Sequence, residues 1–157
     1  MPVPVTISVN GRAVSDTVEP RVTLVDFLRD RLGLTGTHVG CEQGVCGACS
    51  VLLDGVPVRS CLLFAVQAGN RSVTTVEGLD DAILLDAFEE THAMQCGYCT
   101  PGMLIAARGL LSDTPDPSED DIREAISGTL CRCTGYVQIV EAIALAATRL
   151  RQDERHG

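Results

Sequence analysis

The sequence predicts an α+β fold in two parts, a strand-rich 1–78 followed by a helical 79–157, and three observations lead to it. Up to Val76 apolar residues alternate in short runs, broken by the turn pairs Asn10-Gly11 and Asp54-Gly55 that mark hairpins. Beyond Glu77-Gly78-Leu79-Asp80 the apolar period changes to the helical 3.6. The cysteines divide at the same place: Cys41, Cys46, Cys49 and Cys61 precede it, and Cys96, Cys99, Cys131 and Cys133 follow it.

Val5 to Val9 and Arg12 to Val18 read as the arms of a first hairpin. Thr23 then caps a short helix whose apolar stripe is Leu24, Val25, Phe27, Leu28 and Leu32, with Asp26 three residues after the cap and Gly33 at the end. From Thr35 to Cys49 glycines alternate with the first three cysteines, which lets a backbone wrap closely around a bound group and point its N–H groups inward. Ser50 to Leu53 and Val56 to Val58 form a second hairpin, Cys61 follows it, and Arg71 to Val76 reads as a last strand. The helices expected after the boundary are one carrying Ile83, Leu84, Ala87 and Phe88, one from Gly102 to Leu111 opened by Pro101, one capped by Ser118, and one from about Tyr136 to Leu150.

With 157 residues, 45% of them hydrophobic, the chain can build a core without covalent staples. The net charge of −9 is spread along the chain, which speaks against nucleic acid as a partner. Three Phe, two Tyr and no Trp leave few platforms for a ring substrate. No stretch approaches the ~20 apolar residues of a membrane span, and Met1 to Thr6 does not resemble a leader. The expectation is a cytoplasmic protein with no substrate pocket of its own.

The cysteines carry the chemistry. Cys41-x4-Cys46-x2-Cys49 with a distant Cys61 is the spacing of plant-type 2Fe-2S ferredoxins, in which one wrapped loop supplies three thiolates and a neighbouring element the fourth. The second set, Cys96-x2-Cys99 and Cys131-x-Cys133, offers the same count of soft ligands, each pair just before an expected helix whose N-terminus would favour an anion. Disulfides fit poorly: a reducing compartment opposes them, and a Cys131–Cys133 bridge would close a very small ring. Two four-cysteine zinc sites are the other reading, although the x4 and x1 gaps depart from paired C-x-x-C knuckles. His38 lies near the first loop and suits a hydrogen-bonding or plain surface role better than a ligand's, and no catalytic triad or acid–base pair stands out.

With both motifs in view, the chain resembles the small iron-sulfur subunit of the molybdenum hydroxylases, the family of xanthine dehydrogenase, aldehyde oxidoreductase and aerobic carbon monoxide dehydrogenase. The residues that carry the resemblance are Gly40-Cys41-Glu42-Gln43-Gly44-Val45-Cys46-Gly47-Ala48-Cys49, Thr75-Val76-Glu77-Gly78-Leu79, Gln95-Cys96-Gly97-Tyr98-Cys99-Thr100-Pro101-Gly102 and Leu130-Cys131-Arg132-Cys133-Thr134-Gly135-Tyr136. It implies an N-terminal β-grasp domain, 1–78, and a C-terminal four-helix domain, 79–157, each with one 2Fe-2S cluster held by its four cysteines. It implies a large subunit with a molybdenum-pterin cofactor and a medium subunit with FAD, assembled as a dimer of heterotrimers. The chain would relay electrons from the first to the second, and Gln95 and Cys133 would hydrogen-bond the pterin. Ser50, where threonine is common, and Val137, where a polar residue is frequent, are slight departures. A freestanding 2Fe-2S ferredoxin and a zinc-stapled interaction module are the competing functions, and the substrate is not written on this chain.

Overall fold

The computed structural model describes residues 1–156; Gly157 and the side chains at 154 and 156 lie outside the described residues, so the His156 imidazole is not described. Strands β1 (Val3–Val9) and β2 (Arg12–Val18) pair antiparallel with Val9 opposite Arg12. Asn10 and Gly11 turn between them at φ 50° and 78°, the left-handed pair that a two-residue hairpin requires. Strands β3 (Ser50–Leu53) and β4 (Val56–Arg59) repeat the device around Asp54 and Gly55, at φ 51° and 85°.

Between the hairpins the expected short helix is one α-helical turn, α1 (Leu24–Asp26), that continues as a π-helix over Phe27–Arg31. Its cap is as expected, with the Asp26 N–H donating to the Thr23 hydroxyl. The departure is in the pitch: the Leu32 N–H reaches back five residues to the Phe27 carbonyl. The wider turn carries the adjacent Phe27 and Leu28 into the core together, both 0% exposed.

The last strand, β5 (Ser72–Thr74), is shorter than the expected Arg71 to Val76. The Asn10 side chain ends it: the Thr75 N–H donates to Asn10 Oδ1 at 2.9 Å, and Asn10 Nδ2 donates to the Thr75 hydroxyl at 3.0 Å. The backbone then turns through Val76–Gly78. β5 lies parallel to β1 and antiparallel to β3, closing a mixed five-stranded sheet of order β2-β1-β5-β3-β4.

Four helices follow: α2 (Ala82–Glu90), α3 (Thr100–Asp113), α4 (Glu119–Ile126) and α5 (Val137–His156). Asp81 caps α2 through the Leu84 N–H, and Ser118 with Asp121 forms a reciprocal capping box on α4. α5 runs six residues past the expected Leu150, its last turns tied by Arg149 to Glu90 and by Arg151 to Asp116. Among the described residues no helix is long and apolar enough to cross a membrane.

One apolar core lies under α1 and the sheet, built on Ile7, Leu24, Phe27, Val51, Leu53 and Val73. The other lies among the four later helices and includes Leu52. Residues 51, 52 and 53 point alternately to the two faces of β3, so one buried strand serves both cores. α3 packs onto the outer face of this hairpin, where a Cβ on Gly109 would stand 2.3 Å from the Pro57 ring. The α+β class is as the sequence predicts.

Candidate metal centres

Each set of four cysteines converges, and within each set the thiols meet in twos. The Cys46 thiol is set beside Cys41, and the Cys49 thiol beside Cys61. In the helical half Cys133 is set beside Cys96, and Cys131 beside Cys99. Among the described residues no three His, Cys, Asp or Glu side chains form the ligand set of a single ion. Pairs are what a two-iron cluster asks for, since each iron takes two thiolates.

The first set is built by a loop and a hairpin. Cys41 Sγ accepts the N–H groups of Gln43, at 3.3 Å, and Cys46, at 3.4 Å, and these hold its thiol down to about 6. Glu42 and Gly44 adopt positive φ to aim the loop inward. Cys49 and Cys61 lie deeper, at the start of β3 and just beyond β4, where burial, with Cys49 alongside, pushes Cys61 up to about 11. The Ser60 hydroxyl locks this corner by donating to the Cys49 carbonyl at 2.6 Å.

The second set is more open, with Cys96 and Cys133 exposed. The Tyr98 N–H lowers Cys96, and Cys96 in turn raises Cys133. Burial raises Cys99 to about 12. Burial also raises Cys131, but the Thr134 hydroxyl and N–H, 3.2 and 3.5 Å away, with the Cys133 N–H, outweigh it and leave that thiol lowered. Cys99 stands at the N-terminus of α3 as expected. Cys131 and Cys133 stand just before α5, as expected, and the turn through Thr134, Gly135 and Tyr136 that leads into the helix provides the contacts to Cys131.

The two sets are stitched together. The Leu130 N–H donates to the Cys46 carbonyl at 2.8 Å, which joins the residue before Cys131 to Cys46 itself. Tyr98, between Cys96 and Cys99, donates its hydroxyl to the Val39 carbonyl, and its ring stacks on His38 at 4.8 Å. His38 Nδ1 donates to the Tyr98 carbonyl at 2.8 Å, the hydrogen-bonding role expected of it. Tyr98, Thr134 and Tyr136 stand in the motifs that carry the resemblance, but the sequence assigned none of them these contacts. Thr134 and Tyr136 act within five residues of Cys131, whereas Tyr98 reaches Val39, 59 positions away, which proximity to cysteines does not reveal. Gln95 is exposed and makes no hydrogen bond among the described residues.

These residues fit two 2Fe-2S clusters in count, pairing and N–H supply to sulfur. Metal binding must strip the protons from the raised thiols, so loading with iron and sulfide should release protons and proceed further as pH rises from 6.5 to 8.5. Absorbance-monitored reconstitution checks this; a yield independent of pH would contradict it.

Comparison with known proteins agrees with the geometry. The 2Fe-2S iron-sulfur cluster binding domain family matches residues 7–74, and the 2Fe-2S binding domain family matches residues 75–144. The nicotine 6-hydroxylase small subunit of Paenarthrobacter nicotinovorans is 51% identical over 144 residues, covering 90% of this chain and 87% of that one. The caffeine dehydrogenase subunit gamma of Pseudomonas sp. (strain CBB1) is 53% identical, covering 88% and 87%. In the crystal structure of quinoline 2-oxidoreductase from Pseudomonas putida 86, a chain 50% identical superimposes with a TM-score of 0.92 over 98% of both chains. With both of its cysteine sets inside matched 2Fe-2S domains, the chain belongs to the family of small iron-sulfur subunits of the molybdenum hydroxylases, the electron-transfer subunits of oxidoreductase complexes.

Proposed function

We propose that this chain relays electrons from a molybdenum-pterin centre on a large subunit to FAD on a medium subunit, within a cytoplasmic dimer of heterotrimers. Cys41, Cys46, Cys49 and Cys61 hold one cluster in a β-grasp domain, 1–78. Cys96, Cys99, Cys131 and Cys133 hold the other in a four-helix domain, 79–157. When bound, a 2Fe-2S cluster accepts and releases one electron at a time.

The observation that carries the relay is the bond from the Leu130 N–H to the Cys46 carbonyl, which links the two ligand loops through backbone alone. Cys96 and Cys133, the exposed members of the second set, face the pterin, which Cys133 and the exposed amide of Gln95, next to Cys96, hydrogen-bond. Exposed apolar residues flank the cysteines in sequence: Val45 and Leu62 in the first half, Met94, Leu130 and Val137 in the second. Such side chains suit burial against partner subunits.

Gln95→Ala tests the assignment. An exposed residue without intrachain bonds should cost within about 1 kcal/mol of stability and no iron. The assembled complex should nevertheless pass electrons from molybdenum to iron more slowly, as resolved by rapid mixing with substrate. Normal transfer in the variant would remove Gln95 from the path.

A further inference from the structure

Arg59 ends β4, two residues before Cys61, and its half-buried guanidinium reaches across the seam between the two cysteine loops. Nη1 donates to the Ser50 hydroxyl at 2.6 Å, directly after Cys49, and Nη2 donates to the Gly128 carbonyl at 2.6 Å, three residues before Cys131. The fit is tight, since a Cβ on Gly128 would stand 2.5 Å from Nη2. Ser50 in turn donates to the Gly47 carbonyl at 2.7 Å, so the bonded chain runs from one ligand loop to the other.

Arg59 is unlike most of the chain's bonded arginines in what it meets. Arg71, Arg108, Arg123, Arg149 and Arg151 each face a carboxylate. Arg59 meets two neutral oxygens, and among the described residues it has no acidic partner, in a chain whose net charge is −9. Arg29 also holds two carbonyls, of Thr35 and Thr37, but both lie on its own side of the first loop. A partly desolvated cation is costly unless an opposite charge answers it. Cysteines adjoin both of its acceptors in sequence: Cys49 directly precedes Ser50, and Cys131 lies three residues past Gly128. With its four thiolates an oxidised 2Fe-2S cluster carries about −2, and one added electron makes it about −3.

We propose that Arg59 is the shared counter-charge of both cysteine sets, a positioning residue that raises the reduction potential of the clusters they hold. The inference rests on the reading of the eight cysteines as ligands. A cation at the seam favours the more negative, reduced state on either side, and so keeps both sites reducible although two anions lie close together. Arg132, between Cys131 and Cys133, is exposed and its charge is screened by water.

Two variants of the assembled complex separate charge from geometry. Arg59→Gln keeps an N–H donor and removes the charge, whereas Arg59→Lys keeps the charge and loses the two-pronged reach. Iron and labile sulfide are measured first, and about four of each per chain validates the ligand reading independently of Arg59. Potentials are then read from the paramagnetic signals over a series of poised dithionite reductions. Arg59→Gln should lower the reduced-to-oxidised ratio of both clusters about tenfold at a given potential, about 59 mV for a one-electron couple. Arg59→Lys should stay within about twofold of the parent. Unchanged potentials in Arg59→Gln, or an equal fall in both variants, would overturn the proposal. So would loss of iron from both, which would make Arg59 a structural tie alone.

Discussion

Cys99→Ala should remove one cluster and leave the other: iron and labile sulfide fall from about four of each per chain to about two of each, and one of two paramagnetic signals disappears. Cys99 is one of the two half-buried members of its set, lies beside the other, Cys131, and stands at the N-terminus of α3. Alanine leaves no polar group buried without a partner, so the effect reports on the lost thiolate and not on a new defect. The first set keeps its own supports, the Gln43 and Cys46 N–H groups at Cys41 and the Ser60 bond at Cys49, and none of them touches Cys99. The surviving signal should therefore be that of the set in the sheet half. The two signals should differ in the parent, because Cys49 and Cys61 are buried while Cys96 and Cys133 are exposed. Iron analysis with spectroscopy of the reduced protein decides. Retention of all the iron, or zinc without sulfide, would refute the ligand assignment.

Gly47→Ala should destabilise the chain by about 2–5 kcal/mol, the sum of a strained backbone and an overpacked contact. Gly47 sits between Cys46 and Ala48 at φ +74°, a conformation in which an L side chain is strained. A Cβ there would stand 2.4 Å from the Gly128 carbonyl oxygen and 2.8 Å from the Thr129 Cα. Both are backbone atoms and cannot swing aside. The seam must open, and with it the Leu130 to Cys46 hydrogen bond and the reach of Arg59 to Gly128. Thermal unfolding should show the loss, and electron exchange between the two sites should slow in whatever protein still assembles. Gly55, with φ +85° but open space around it, is the control: its substitution to alanine should cost only the backbone strain. Equal losses at the two positions would show that the seam contact carries no weight.

Local chemistry accounts for what could be read from residues alone. Both hairpins were legible because Asn10-Gly11 and Asp54-Gly55 supply the left-handed φ that a two-residue turn demands, and neighbours in sequence suffice for that. The caps at Thr23 and Ser118 were legible for the same reason, each acting on a group three residues away. The α+β class followed from the change of apolar period, and the two sets of four cysteines from their spacing.

Long-range geometry accounts for the rest. The parallel pairing of β1 with β5 joins residues more than sixty positions apart, and the Asn10 bonds that cut β5 short span 65. The π-helical turn at Phe27–Arg31 arises from burying two adjacent large side chains against the sheet, which helical periodicity does not encode. At the site, spacing grouped the cysteines into fours but did not divide them into the pairs Cys41–Cys46, Cys49–Cys61, Cys96–Cys133 and Cys99–Cys131. The contacts of Tyr98 and Arg59 could not be read locally, because their partners, Val39 and Gly128, lie 59 and 69 positions away. The sequence by itself therefore determined which thiols the chain offers and the local turns that present them. Only the tertiary structure decided how the two loops meet, because that contact depends on backbone approaching backbone at Gly47 and on one arginine spanning the seam, and neither leaves a periodic or local trace in the chain.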